Sequence, residues 1–119
     1  MREAMLTGQI LKYVRSQGCF AVKWHGSVYG TGGMPDIYVL VPHLGFAIPV
    51  HIEVKVSGNK PTPRQRKMLC ELSGVGAVAF WTDTLEDVQY AIATLRKGED
   101  VVINAKDHRI RRPFGPFQD

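Results

Sequence analysis

The sequence predicts an α/β domain with elements in the order α-β-β-β-α-β-α, and three observations carry that reading. Apolar residues near the N-terminus recur at helical spacing, and four later runs of strand length alternate or stay apolar. Two threonine-led segments then open helices that glycines close. With 119 residues, 45% of them hydrophobic, the chain can bury one core and is too short for two.

From Arg2 to Gln17 the residues Met5, Leu6, Ile10, Leu11 and Val14 follow a period near 3.6, and Gly18 stands where a helix ends. Cys19 to Trp24 alternates as a half-buried strand does, with Phe20, Val22 and Trp24 on one side and Ala21 and Lys23 on the other. The four glycines between His25 and Gly33 mark a loop with special backbone needs. Asp36 to Val41 reads as a more buried strand, stopped by Pro42 and a turn through Gly45. A third strand runs from about Ile48 to Val56, where Val50, Ile52, Val54 and Val56 face one way and His51, Glu53 and Lys55 the other. Thr62-Pro63-Arg64-Gln65 has the form of a capping box opening a helix through Met68, Leu69 and Leu72 to Gly74. Ala77 to Thr82 is a further apolar strand. Thr84 then caps a helix through Leu85, Val88, Ala91, Ile92 and Leu95 to Lys97, closed by Gly98. Val101 to Ile103 is expected as a short strand. The single domain is expected to span 1–105, leaving 106–119 as a basic, proline-containing tail or arm.

Lys and Arg number 15 against 11 Asp and Glu, for a formal charge of +4 and a pI near 9.3, which favours a polyanionic partner. The placement of charge is more informative than its sum. No acidic residue lies between Glu53 and Glu71, whereas Lys55, Lys60, Arg64, Arg66 and Lys67 all do. Lys106, His108, Arg109, Arg111 and Arg112 form a second basic cluster. Cys19 and Cys70 lack any zinc-binding spacing and are expected to be buried free thiols. No run approaches the length of a membrane span and the N-terminus lacks a signal-peptide pattern, so a soluble, cytoplasmic protein is expected.

A carboxylate at the start of one strand can approach another within its antiparallel neighbour, and Asp36 and Glu53 fit that description. Two hard oxygen donors so placed suit Mg²⁺, with Mn²⁺ as a substitute, and the backbone carbonyl of Val54 is a candidate third ligand. Lys55 projects from the face of Glu53, where an ammonium can orient water and offset charge on a phosphorane-like transition state. Together they form a minimal site for phosphodiester hydrolysis. An isolated Glu-x-Lys is common by chance and reads as a solvent-facing pair. Here the strand's other face is wholly apolar and a glycine-rich turn leads directly into Pro35-Asp36, which sets this instance apart.

Glu3, Gly32-Gly33-Met34-Pro35-Asp36, Ile52-Glu53-Val54-Lys55 and Gly58-Asn59-Lys60-Pro61-Thr62-Pro63-Arg64-Gln65, taken in order, resemble the VRR-NUC family of the PD-(D/E)xK nuclease superfamily. The resemblance spans about residues 3 to 96 and includes short standalone phage and bacterial proteins of similar length. It implies a restriction-endonuclease-like core, with a mixed sheet flanked by helices, and metal-dependent cleavage of DNA. For standalone members it implies a homodimer acting on branched DNA such as Holliday junctions. Residue by residue, it makes Asp36 and Glu53 metal ligands and Lys55 the catalytic lysine, with Gln65 and Glu3 supporting the site. Gln65 serves equally as the capping-box partner, and Glu3 equally as a favourable charge in a helix's first turn. Lys60, Arg64 and Lys67, clustered about a helix start, are the stronger candidates for DNA contact, with Lys23 and His25 beside the glycine loop. Two other readings stand beside it: a catalytically inactive DNA-binding module on a nuclease fold, and a nicking or restriction-like nuclease acting on linear duplex.

Overall fold

The computed structural model describes residues 1–24 and 32–112. Its elements are α1 (Glu3–Ser16), β1 (Phe20–Lys23), β2 (Ile37–His43), β3 (Phe46–Val54), α2 (Pro63–Gly74), β4 (Val78–Thr82) and α3 (Leu85–Arg96), in the expected order. The strands form one mixed sheet in the order β1-β2-β3-β4, antiparallel except for the parallel pair β3 and β4 that α2 connects.

Both β2 and β3 contain proline, yet neither strand stops there. Leu44 and Gly45 take positive φ, as a two-residue hairpin turn requires, and bring His43 opposite Phe46. Counting from that pair, Pro42 opposite Ala47 and Pro49 opposite Leu40 fall at non-hydrogen-bonded positions. Pro42 lies beyond the end of β1, and Pro49 lies before the start of β4. Each missing N–H therefore points where no strand among the described residues receives it, and Pro42 is no stop signal.

The alternation of β2 and β3 divides the apolar residues between the two sheet faces. Ile37, Val39 and Val41 with Val50, Ile52 and Val54, all fully buried, meet Leu6, Ile10 and Val14 of α1 and Val88, Ala91, Ile92 and Leu95 of α3. Each such side chain contributes about 1.5–3 kcal/mol when removed from water, so this is the principal core. On the other face α2 covers only β3 and β4, with Leu69 packed on Ala79 and Trp81. Among the described residues no helix packs on the β1 and β2 half of that face. Phe20, Val22 and Trp24 are accordingly 56%, 36% and 46% exposed, while small Ala21 turns into the core. On β1 the large apolar side is the outer one, and Cys19 and Ala21 are the residues that join the core with Leu6, Ile10 and Val14 of α1.

Residues 106–112 are no extended tail. Ile103 bridges to Ile110 around a turn in which His108 takes positive φ, and the turn packs along β4. The Trp81 N–H donates to the His108 carbonyl at 3.1 Å and its indole N–H to the Asp107 carbonyl at 2.6 Å. These bonds cover the β4 edge and replace the short strand expected at 101–103 with a single bridge. Arg109 lies 4.3 Å above the Trp81 ring and pairs with Asp83 at 2.6 Å and Asp87 at 3.3 Å. Asp87 is buried, capped by the Thr82 hydroxyl at 2.7 Å, so the basic C-terminal cluster neutralises a carboxylate that burial would otherwise penalise. The expected boundary at 105 thus falls inside a packed turn. Cys19 is buried as expected, whereas Cys70 lies on the outer side of α2 and is exposed. No helix among the described residues is long and apolar enough to cross a membrane.

Candidate active site

The start of β2 and the end of β3 meet where the glycine loop, α1 and α2 all terminate. Asp36 stands one residue before β2. Its carbonyl accepts from the Trp24 N–H at 2.6 Å and its Oδ2 from the Val54 N–H at 2.8 Å, which hold backbone and carboxylate against β1 and β3. The approach to Asp36 depends on Gly33. Its φ is +84°, and a Cβ there would lie 2.9 Å from the backbone carbonyl oxygen of Arg64 in the first turn of α2. At Gly32 a Cβ would meet the Arg64 guanidinium at 2.6 Å, so this arginine lies across the loop that aims Asp36.

Glu53, on the α2 side of β3, is 2% exposed. Its two oxygens have different surroundings. Oε2 accepts from Gln65 Nε2 at 3.1 Å and lies 3.7 Å from Lys55 Nζ, while Oε1 is buried with no hydrogen-bond partner among the described residues. Burial first, and then the nearby Asp36 carboxylate, push the Glu53 acid up to about 8, with Glu3 adding to the shift and Lys55 opposing it. Two carboxyls this close share a proton more readily than they both ionise. Glu3, in the first turn of α1, is therefore near enough to be felt at Glu53.

Gln65 completes the helix cap and also reaches Glu53. Its N–H donates to Thr62 Oγ1 at 3.2 Å and its Oε1 accepts from the Thr62 N–H at 2.9 Å, completing the capping box. The remaining amide nitrogen reaches Glu53. Capping thus aims the side chain that orients the carboxylate.

The donor set fits a hard divalent cation. An orphaned, buried carboxylate oxygen beside a second carboxylate costs free energy in the protein alone, and a cation offsets that cost. Among the described residues no group of three or more His, Cys, Asp or Glu gathers, so the candidate donors are the two carboxylates of Asp36 and Glu53, a number that Mg²⁺ commonly takes while keeping its waters. Val54 shows a further role here through its N–H, which fixes Asp36.

The remaining candidates divide by location. Lys60, Arg64 and Lys67 are exposed at or near the start of α2, and Lys23 is exposed at the end of β1. His25 lies outside the described residues. His51 lies against Tyr38 with ring centroids 4.9 Å apart and planes tilted by 35°, and burial lowers its pKa. Sequence reasoning missed the network of Trp81, Asp83, Asp87 and Arg109. The basic run at 106–112 was visible, but nothing in its pattern showed which strand it packs on.

No protein-family model and no curated protein matches the sequence. Among solved structures, the chain is similar to one described as a VRR_NUC domain, with a TM-score of 0.64 and 25% identity, covering 76% of this chain and 94% of that one. The fold is that of the VRR-NUC family, a nuclease-type fold, as the order of the motifs implied.

Proposed function

We propose that this chain is a divalent-metal-dependent endonuclease that hydrolyses phosphodiester bonds in branched DNA as a homodimer. The observation that carries the metal dependence is the buried Glu53 carboxyl, whose Oε1 has no hydrogen-bond partner among the described residues and whose acid is raised by burial and by the nearby Asp36 carboxylate. Asp36 and Glu53 are the residues to hold Mg²⁺, or Mn²⁺ in its place, with the Val54 carbonyl as a further donor. A cation bound there supplies Lewis acidity and positive charge at the scissile phosphate. Lys55, on the opposite oxygen of Glu53, orients the attacking water and offsets charge as it develops on the phosphate. Gln65 holds Glu53 in the orientation this requires, and Glu3 adds negative charge that favours the cation.

The half-face of the sheet that no described helix covers favours a homodimer. Phe20, Val22 and Trp24, with the half-buried Tyr38 and Leu40 in register beside them, form an apolar surface next to the site. Pairing this surface about a two-fold axis gives two sites for the two strands of a junction. The apolar, proline-containing arm at 113–119, a second candidate for the interface, lies outside the described residues.

Incubating the protein with a labelled four-way junction and Mg²⁺ is the direct test. Wild type is expected to release nicked arms, and Lys55→Ala is expected to lose at least about a hundredfold in rate. Equal product from both would remove Lys55 from the mechanism. Faster cutting of linear duplex than of junctions would favour a nicking or restriction-like nuclease, and tight binding without cleavage in Mg²⁺ or Mn²⁺ an inactive DNA-binding module. Light scattering that found only monomer at micromolar concentration would remove the dimer.

A further inference from the structure

The packed C-terminal turn builds something a free tail does not. It brings Lys106 and Arg109 against Lys60, ahead of α2, and Arg66 of the first turns of α2. With Pro61, Trp81 and Asp107 these four line a cavity of about 370 Å³. Four cationic side chains therefore share one cavity with a single carboxylate.

Their charges are not equally offset. Arg109 is neutralised by Asp83 and Asp87 and immobilised over the Trp81 ring. Lys60, Arg66 and Lys106 make no ion pair among the described residues. The Arg66 guanidinium is held in place by a bond to the Pro61 carbonyl at 3.2 Å. Like charges gathered at one cavity repel, and a phosphate there relieves the repulsion while accepting several charge-assisted hydrogen bonds. The cavity thus has a fixed guanidinium side and two lysines that can close on an anion.

None of Asp36, Glu53 and Lys55 lines it. Trp81 nevertheless pairs in register with Glu53, one strand across on the same sheet face. We propose that this cavity is a second phosphate site, one that takes a non-scissile phosphate of the same nucleic acid whose cleavage is assigned to the neighbouring carboxylates. The proposal rests on the nuclease reading for its ligand, and on the cavity for its place. Lys60 was already a candidate DNA contact; Arg66, Lys106 and Arg109 join it through the fold of the C-terminal turn.

The test is the salt dependence of DNA binding by the full chain, followed as anisotropy of a labelled four-way junction in EDTA. Lys60→Ala and Lys106→Ala remove exposed side chains, and Arg66 is left in place because it also holds Pro61. Each variant is expected to reduce the slope of log K against log salt by roughly 0.9, with affinity lowered several-fold, and the double variant by roughly twice that. Lys12→Ala, exposed on α1 across the sheet, is expected to leave the slope unchanged. In Mg²⁺ the double variant raises KM and retains kcat, because neither lysine touches the reacting phosphate. If both variants keep the wild-type slope while wild type cuts DNA, the second site is overturned and the nuclease reading stands. If wild type never cuts but loses slope on these substitutions, the phosphate site stands and the nuclease reading falls. A wild type that neither binds nor cuts overturns both.

Discussion

Replacing Glu53 by glutamine in the metal-free protein separates the metal site from an ordinary buried acid. The Glu53 carboxyl titrates near 8 in the fold, against an ordinary value of 4.5, because it is buried beside Asp36. Between those values the folded state holds a proton that the unfolded chain has released, so stability falls as pH rises through that window. The loss is about 1.4 kcal/mol per pH unit, or on the order of 3 kcal/mol by pH 7. Glutamine has the shape of the protonated acid and never ionises. In EDTA, Glu53→Gln is expected to melt about 5 °C above wild type at pH 5.5 and about 18 °C above it at pH 8.5, taking about 4 °C per kcal/mol for a chain of this size. Saturating Mg²⁺ should raise the wild-type melting temperature and close the gap, and leave the variant where it was, since its ligand is gone. The measurement is the difference between the two melting curves at several pH values, which cancels every other titration. A gap that stays constant from pH 5.5 to 8.5 would show that Glu53 is not an ionising buried acid, and the argument for a cation at its unpartnered oxygen would go with it.

Three further outcomes follow from the packing. Gly33→Ala places a side chain at positive φ and 2.9 Å from the Arg64 carbonyl, so urea denaturation should show a loss of at least about 1–2 kcal/mol, with cleavage reduced because Asp36 is displaced. Arg109→Ala strips Asp83 and the buried Asp87 of their strongest partner and should cost about 1–3 kcal/mol; Arg111→Ala, on an exposed residue, should cost nothing measurable in the same assay. Gln65→Ala removes half of the capping box and the amide that holds Glu53. It should cost about 1 kcal/mol in unfolding and lower cleavage roughly tenfold, and a loss confined to stability would make Gln65 a cap alone.

The succession of elements was legible from sequence because it rests on local physics. Period, capping chemistry and glycine placement act within a few residues, and Thr62, Thr84 and Gly18 each mark the terminus they were expected to mark. The grouping of Asp36, Glu53, Lys55 and Gln65 was legible for a related reason, since strand alternation and the order of motifs constrain which side chains share a face. Tertiary structure decided what depends on partners far along the chain. Phe20, Val22 and Trp24 look like a core face, but which side of β1 is buried depends on where α1 packs, and α1 takes the side of Ala21. Pro42 looks like a stop, but the register of β2 with β3 leaves its missing N–H facing no described strand. Residues 106–112 have no periodicity, yet the open edge of β4 and the buried charge of Asp87 capture them, and with Lys60 and Arg66 they enclose a cationic cavity. Edges and buried charges must be satisfied by whatever the fold brings near, and only three dimensions decide what that is.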